Sequence, residues 1–180
     1  MESKVETVKH FKWFFPWQDA EQCAWLERMS KKGLHLAGRF FGFYTFTEGS
    51  PEEWLYRIDF CDVKRNFPRV EMIERCGWER ATVSGSWVYY RGKAETTEAY
   101  TLFDSPTSRI EHYKAVLKAI LFPGLPLIAY FPLMSLPVRR QRGPSIALTV
   151  LDVIIVIALV FVLFSGLRLR GRIRKLEKER

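Results

Sequence analysis

Residues 145–167 read SIALTVLDVIIVIALVFVLFSGL, and the architecture of the chain follows from them. A helix needs about 20 residues to cross a bilayer, and in this stretch only Asp152 is ionisable. Sixteen of its residues are Leu, Ile, Val or Phe. On insertion scales each contributes about −0.3 to −0.6 kcal/mol, whereas a central Asp costs about 2.5 to 3.5. The apolar side wins, and the segment is expected to span alone.

Just before it, residues 119–138 are long enough for a second span, but Pro123, Pro126, Pro132 and Pro137 interrupt their hydrogen-bonding ladder. A kinked helix is expected, its freed carbonyls re-satisfied by the neighbouring span; a re-entrant loop is the alternative. The reading is therefore a transmembrane hairpin over residues 115–167, behind a cytoplasmic domain of residues 1–114 and ahead of a basic tail of residues 168–180. That tail holds Arg168, Arg170, Arg172, Arg174, Lys175, Lys178 and Arg180, against Arg139, Arg140 and Arg142 between the spans. Seven against three places both termini of a multi-pass protein on the cytoplasmic side of a bacterial cell membrane. Asp152 lies close enough to Arg140 and Arg142 for a snorkelling arginine to reach it, so a locking role is preferred to a ligand or proton role.

The 180 residues carry a net charge of +8. Residues 1–114 hold 17 basic and 17 acidic groups, so the whole excess belongs to the membrane part. It reads as an orientation signal and an attraction to anionic headgroups, not as a phosphate-binding surface. No secretory signal is expected in residues 1–17, where Lys12 and Pro16 break a short aromatic run. Cys23, Cys61 and Cys76 are odd in number and widely spaced, which fits reduced thiols packed in a cytosolic core.

The soluble part repeats with a period of 44 residues. Gly33-Leu34 falls on Gly77-Trp78, Phe43 on Trp87, Phe46 on Tyr90, Tyr56 on Tyr100. Each unit reads as strand, helix, strand. Residues 9–15 suggest a strand, and residues 16–30 a helix with Asp19 as cap and Gly33 as terminator. Residues 36–46 and 54–60 suggest a hairpin around Thr47-Glu48-Gly49-Ser50-Pro51. A helix over 63–76 ends at Gly77, strands follow at 79–91 and 98–103, and a third helix runs from 105 toward the membrane. This is the βαββαβ pattern of an internally duplicated, ferredoxin-like α+β domain with one antiparallel sheet. Six Trp, seven Tyr and fourteen Phe crowd the strands, where large rings pack well. They make a core and, on an uncovered sheet face, a candidate docking surface: Phe41, Phe43, Tyr44, Trp54, Tyr56, Trp87 and Tyr89.

Residues 39–46, RFFGFYTF, look like the aromatic signature of RNA-recognition domains. Phe40 stands where that pattern needs glycine, the strand is the second instead of the third, and the domain is neutral, so no nucleic-acid partner is expected. His10, His35 and His112 share no ligand spacing with one another or with the cysteines, so no metal is expected. Glu52 and Glu53 sit in a loop where solvation explains them, and no catalytic motif occurs. Neither an enzyme nor a cofactor is implied.

Lys32-Gly33-Leu34-His35-Leu36, then Tyr56-Arg57-Ile58-Asp59-Phe60, then Gly77-Trp78-Glu79, followed by two C-terminal spans, resembles the domain of unknown function 2812 family of uncharacterised bacterial membrane proteins. The likeness covers residues 8–117. It implies a possible partner, a PadR-like transcriptional repressor encoded nearby, and brings no catalytic residues. The function expected is a membrane-anchored binding or regulatory protein acting on a soluble partner. The alternative is an accessory subunit of a membrane transporter or immunity complex.

Overall fold

The computed structural model describes residues 6–93, 103, 106–130 and 146–178. By contacts the chain divides into two compact units, Met1–His112 and Tyr113–Arg180. In the first, β1 (Thr7–Phe11), α1 (Asp19–Ser30), β2 (Leu34–Phe40) and β3 (Phe43–Glu48) are followed by β4 (Trp54–Phe60), α2 (Phe67–Arg75), β5 (Glu79–Ser84) and β6 (Trp87–Lys93). They form two three-stranded antiparallel sheets, β1-β3-β2 and β4-β6-β5. Strands β2 and β5 run close to each other, and α1 packs on both β2 and β4.

The expected single βαββαβ sheet is thus replaced by two sheets, for a local reason. Residues 36–46, read as one strand, reverse at Phe41-Gly42, where Phe41 adopts φ +58. A left-handed backbone costs a residue with a Cβ about 1–2 kcal/mol, so a glycine is the usual occupant and the usual signal. The matching turn between β5 and β6 has that glycine, Gly85 at φ +62. Gly42 leaves room for the Phe11 ring, which a Cβ there would meet at 2.8 Å. With the turn at 41–42, residues 54–60 open the second sheet and do not pair with β3. The 49–53 loop then joins the sheets and is tied back to the end of α1: Gly49 N–H donates to the Gly33 carbonyl at 2.8 Å, and Ser30 Oγ to the Glu52 carbonyl at 2.8 Å. Replacing Phe41 by Gly should raise the head's stability by about 0.5–1 kcal/mol, the strain relieved less the extra entropy lost by glycine. A higher thermal midpoint in detergent checks this.

The helix C-termini follow the glycines, whereas the cap expected at Asp19 falls one residue earlier, at Gln18, without a side-chain capping bond. Helix α1 stops at Gly33, φ +80, and α2 at Gly77, φ +86, while Pro68 sits in the first turn of α2, where its missing N–H costs nothing. Asp19 is the first residue of α1; Gln18 precedes it and its Oε1 accepts from the Phe15 N–H at 3.0 Å. Leu26 and Met29 from α1, Leu36, Tyr44 and Phe46 from the first sheet, and Tyr56, Ile58 and Tyr89 from the second share one core. A second cluster gathers Ile73, Trp78, Val88, Tyr90 and Phe103. The strand expected at 98–103 lies almost wholly outside the described residues.

The second unit takes up α3 (Pro106–Tyr130) from Tyr113 on, and all of α4 (Ile146–Lys178). Pro123 and Pro126 lie within α3, and residues 131–138 of the expected first span fall outside the described residues. Among the described residues one helix, α4, is long and apolar enough to cross a membrane. Its 33 residues extend about 50 Å, more than the ~30 Å of hydrocarbon. The basic residues Arg168, Arg170, Arg172, Arg174 and Lys175 are its last turns, with Leu169, Ile173 and Leu176 buried between them. Helices α3 and α4 run antiparallel here: Lys114 Nζ lies 3.6 Å from Glu177 Oε1, and Gly166 faces Leu117 and Leu121. Asp152 is buried within this helical part.

Candidate functional site

Strand β4 alternates until its end, where Ile58 and Asp59 are both buried. A carboxylate in a core must be paired, because desolvating it alone costs several kcal/mol. Asp59 is 5% exposed. Its Oδ2 accepts from Arg69 Nε at 3.0 Å, its Oδ1 stands 3.6 Å from His112 Nδ1, and it also accepts its neighbour's Phe60 N–H at 2.9 Å. Arg69, one turn into α2, donates from Nη2 to Ser108 Oγ at 3.0 Å, which ties the start of α3 to the same carboxylate.

Beside this network lies a cavity of about 370 Å³. Helix α1 presents Cys23, Ala24 and Glu27 to it, β4 presents Arg57, Ile58 and Asp59, and α3 presents Ser108, Arg109 and His112. Glu27 Oε1 accepts the Tyr56 N–H at 3.2 Å and lies 3.6 Å from Arg57 Nη1. Burial pushes the Asp59 carboxyl up, but the contact with His112 and the Arg69 charge outweigh it and hold the group below its ordinary value. Asp59 is therefore a fixed anion at neutral pH and no proton donor. Burial, reinforced by Asp59, pushes the Cys61 thiol up to about 11, so it is no thiolate nucleophile. Of the carboxylates lining the cavity, Glu27 is placed against Arg57 and Asp59 against Arg69.

The profile of a family described as "Protein of unknown function (DUF2812)" matches residues 18–125. The chain belongs to this family. No curated protein and no solved structure matches it. The matched DUF2812 region contains every cavity-lining residue, from Asp19 to His112, and three residues of the Tyr56–Phe60 stretch line the cavity directly. Among the described residues no three of His, Cys, Asp and Glu are placed to hold a metal ion. Cys23, Cys61 and Cys76 form no disulfide.

The docking residues read from the DUF2812 sequence divide sharply. Tyr44, Tyr56 and Tyr89 are fully buried: Gln22 Nε2 donates to the hydroxyls of Tyr44 at 2.8 Å and Tyr89 at 2.9 Å, Arg39 also donates to Tyr89, and Tyr56 OH accepts the Leu36 N–H. Tyr44 lies on β3 of the first sheet, Tyr56 and Tyr89 on β4 and β6 of the second, and all three belong to the core cluster that the sheets share with α1. Trp54 and Trp87 are half-buried; Arg91 stands 4.7 Å over the Trp54 ring, and Trp87 packs edge-on against Phe60. Only Phe41 and Phe43 are exposed. Sequence reasoning missed the Asp59–His112–Arg69 cluster, since its members come from three different elements; the one local signal was a carboxylate between Ile58 and Phe60 near a strand end.

Proposed function

We propose that the chain is a membrane-anchored cytoplasmic binding protein with a regulatory task, whose soluble partner is of the PadR-like repressor class. One observation carries the reading: α4 leaves twelve large apolar side chains exposed, from Ile146 to Leu167, a surface that lipid satisfies and water does not. The antiparallel run of α3 and α4 supports a helical hairpin with both termini on one side, and the basic last turns of α4 support that side being the cytoplasm. Duplication of a βαββ unit is supported by equal strand order in the two sheets and by a 44-residue offset of three features. These are the bulges (36/38 and 80/82), the left-handed turns (41 and 85) and the helix-ending glycines (33 and 77).

Trp54, half-buried on edge strand β4, offers a soluble partner a half-open contact. The full chain, captured from mild detergent, should bring down the repressor encoded beside it, and Trp54→Ala should reduce the yield. Recovery of no DNA-binding protein removes the reading. Capture of integral membrane proteins instead, retained by residues 113–180 alone, supports the accessory-subunit alternative.

A further inference from the structure

Five exposed aromatic side chains gather at one end of the first sheet. Phe11 pairs across the ladder with Phe43, and Phe43 with Phe40, so three rings cross three strands in a row. The Phe11 and Phe43 rings are 5.0 Å apart, and Trp13 meets Phe41 at 5.1 Å. Their exposures are 80% for Phe40, 68% for Phe41, 64% for Phe11, 51% for Phe43 and 47% for Trp13. Folding does not explain this display. Burial would have rewarded these rings in a core, and Phe41 sits where the sister turn has a glycine, at a left-handed φ that glycine alone takes without strain.

Charge around the patch runs one way. From Thr7 to Gln18 and from Leu34 to Thr47, the two segments that build this end, there is no carboxylate; Lys9 stands two residues before Phe11 on the same exposed face of β1, and Lys12 follows Phe11 with its ammonium over the Phe14 and Trp25 rings. The nearest acids along these strands, Glu6 and Glu48, are at the opposite end of the sheet: Glu48 follows Thr47, which pairs with Thr7, while the rings sit at the Phe11–Phe43 end. Five residues of strand separate Glu48 from Phe43, about 17 Å at ~3.3 Å per residue. A protein-binding patch usually has a mixed polar rim. Exposed Phe and Trp with lysines and no acid suit the boundary between anionic headgroups and acyl chains.

We propose that this aromatic end inserts shallowly into the anionic surface of the membrane, giving the head a second, reversible contact beside the helix that tethers it. The proposal rests on α4 being a membrane anchor. Tethering supplies a millimolar-range effective concentration, so a contact too weak to recruit a free protein suffices to dock a tethered one.

The test uses the full chain, with its three cysteines changed to alanine, reconstituted in nanodiscs of phosphatidylglycerol and phosphatidylcholine. A nitroxide is placed in turn at Phe41→Cys, Phe40→Cys, Ile157→Cys and Val83→Cys, the last an exposed site on the second sheet. Oxygen collisions should exceed those of a water-soluble nickel chelate at Ile157, Phe41 and Phe40, and the order should reverse at Val83. Phe40 carries the reading if the Phe41 variant fails to fold. In nanodiscs of phosphatidylcholine alone, the Phe41 and Phe40 probes should move toward the Val83 pattern while Ile157 stays unchanged. If both hairpin probes are as nickel-accessible as Val83 in the anionic discs while Ile157 is in lipid, the tip is not a membrane contact, and a protein dock becomes its use. If Ile157 is itself in water, the anchor and the docking contact fall together.

Discussion

Replacing Asp59 by Asn lowers the stability of the head by about 2–3 kcal/mol at neutral pH. Breaking a buried ion pair by removing one partner costs about 3–5 kcal/mol, because the other charge is left uncompensated. Here the abandoned cation is Arg69, whose side chain is 32% exposed against 6% for Asp59, so water recovers part of the loss. The effect has a pH signature. The Asp59 carboxyl is held below its ordinary value of 3.8, so its contribution is complete above that unfolded value and is lost as pH falls through the lower folded one. Thermal midpoints of the wild type and the variant in detergent should differ by a constant gap from pH 7 down to about 4, and the gap should close below that. A gap as wide at pH 3 as at pH 7 would assign the loss to packing instead of charge.

The second large effect is on membrane insertion. Sixteen strongly apolar residues supply about −5 to −10 kcal/mol on insertion scales, and Asp152 already spends about 3 of it. Ile157→Lys puts a second charge near the middle of the span, on a side chain that is exposed, and adds about 3 kcal/mol more. That is more than a hundredfold in partition. After alkaline carbonate extraction the Lys variant should shift from the pellet toward the supernatant, whereas Ile157→Leu should not. A Lys variant as resistant to extraction as the wild type would mean that α4 is not what holds the chain in lipid.

The parts of the fold that depend on local chemistry were legible. Gly33 and Gly77 end helices because only glycine takes their φ cheaply, and α4 announces itself by composition. What depends on one unusual residue was not. Phe41 takes the left-handed place that Gly85 holds in the sister turn, so Gly42 alone was too weak a turn signal, two strands read as one, and a pair of three-stranded sheets read as a single sheet. The faces of β2 and β3 were lost with it, since a reversal and a bulge both shift the period-2 pattern: Tyr44 went inside, and Phe40 outside. The cavity was invisible for another reason. Asp59 and His112 meet only because the first turns of α3 come to the end of β4, and no spacing rule links residues brought together by tertiary packing.

The last turns of α4 look, by composition, like a trailing charged appendage that could be trimmed without harm. Their buried Leu169, Ile173 and Leu176, together with the Lys114–Glu177 bridge, make them a buttress for the opening turns of the helical pair. Shortening the chain after Leu167 would remove those buried side chains and the bridge to Lys114, so these turns are a structural member of the helical pair.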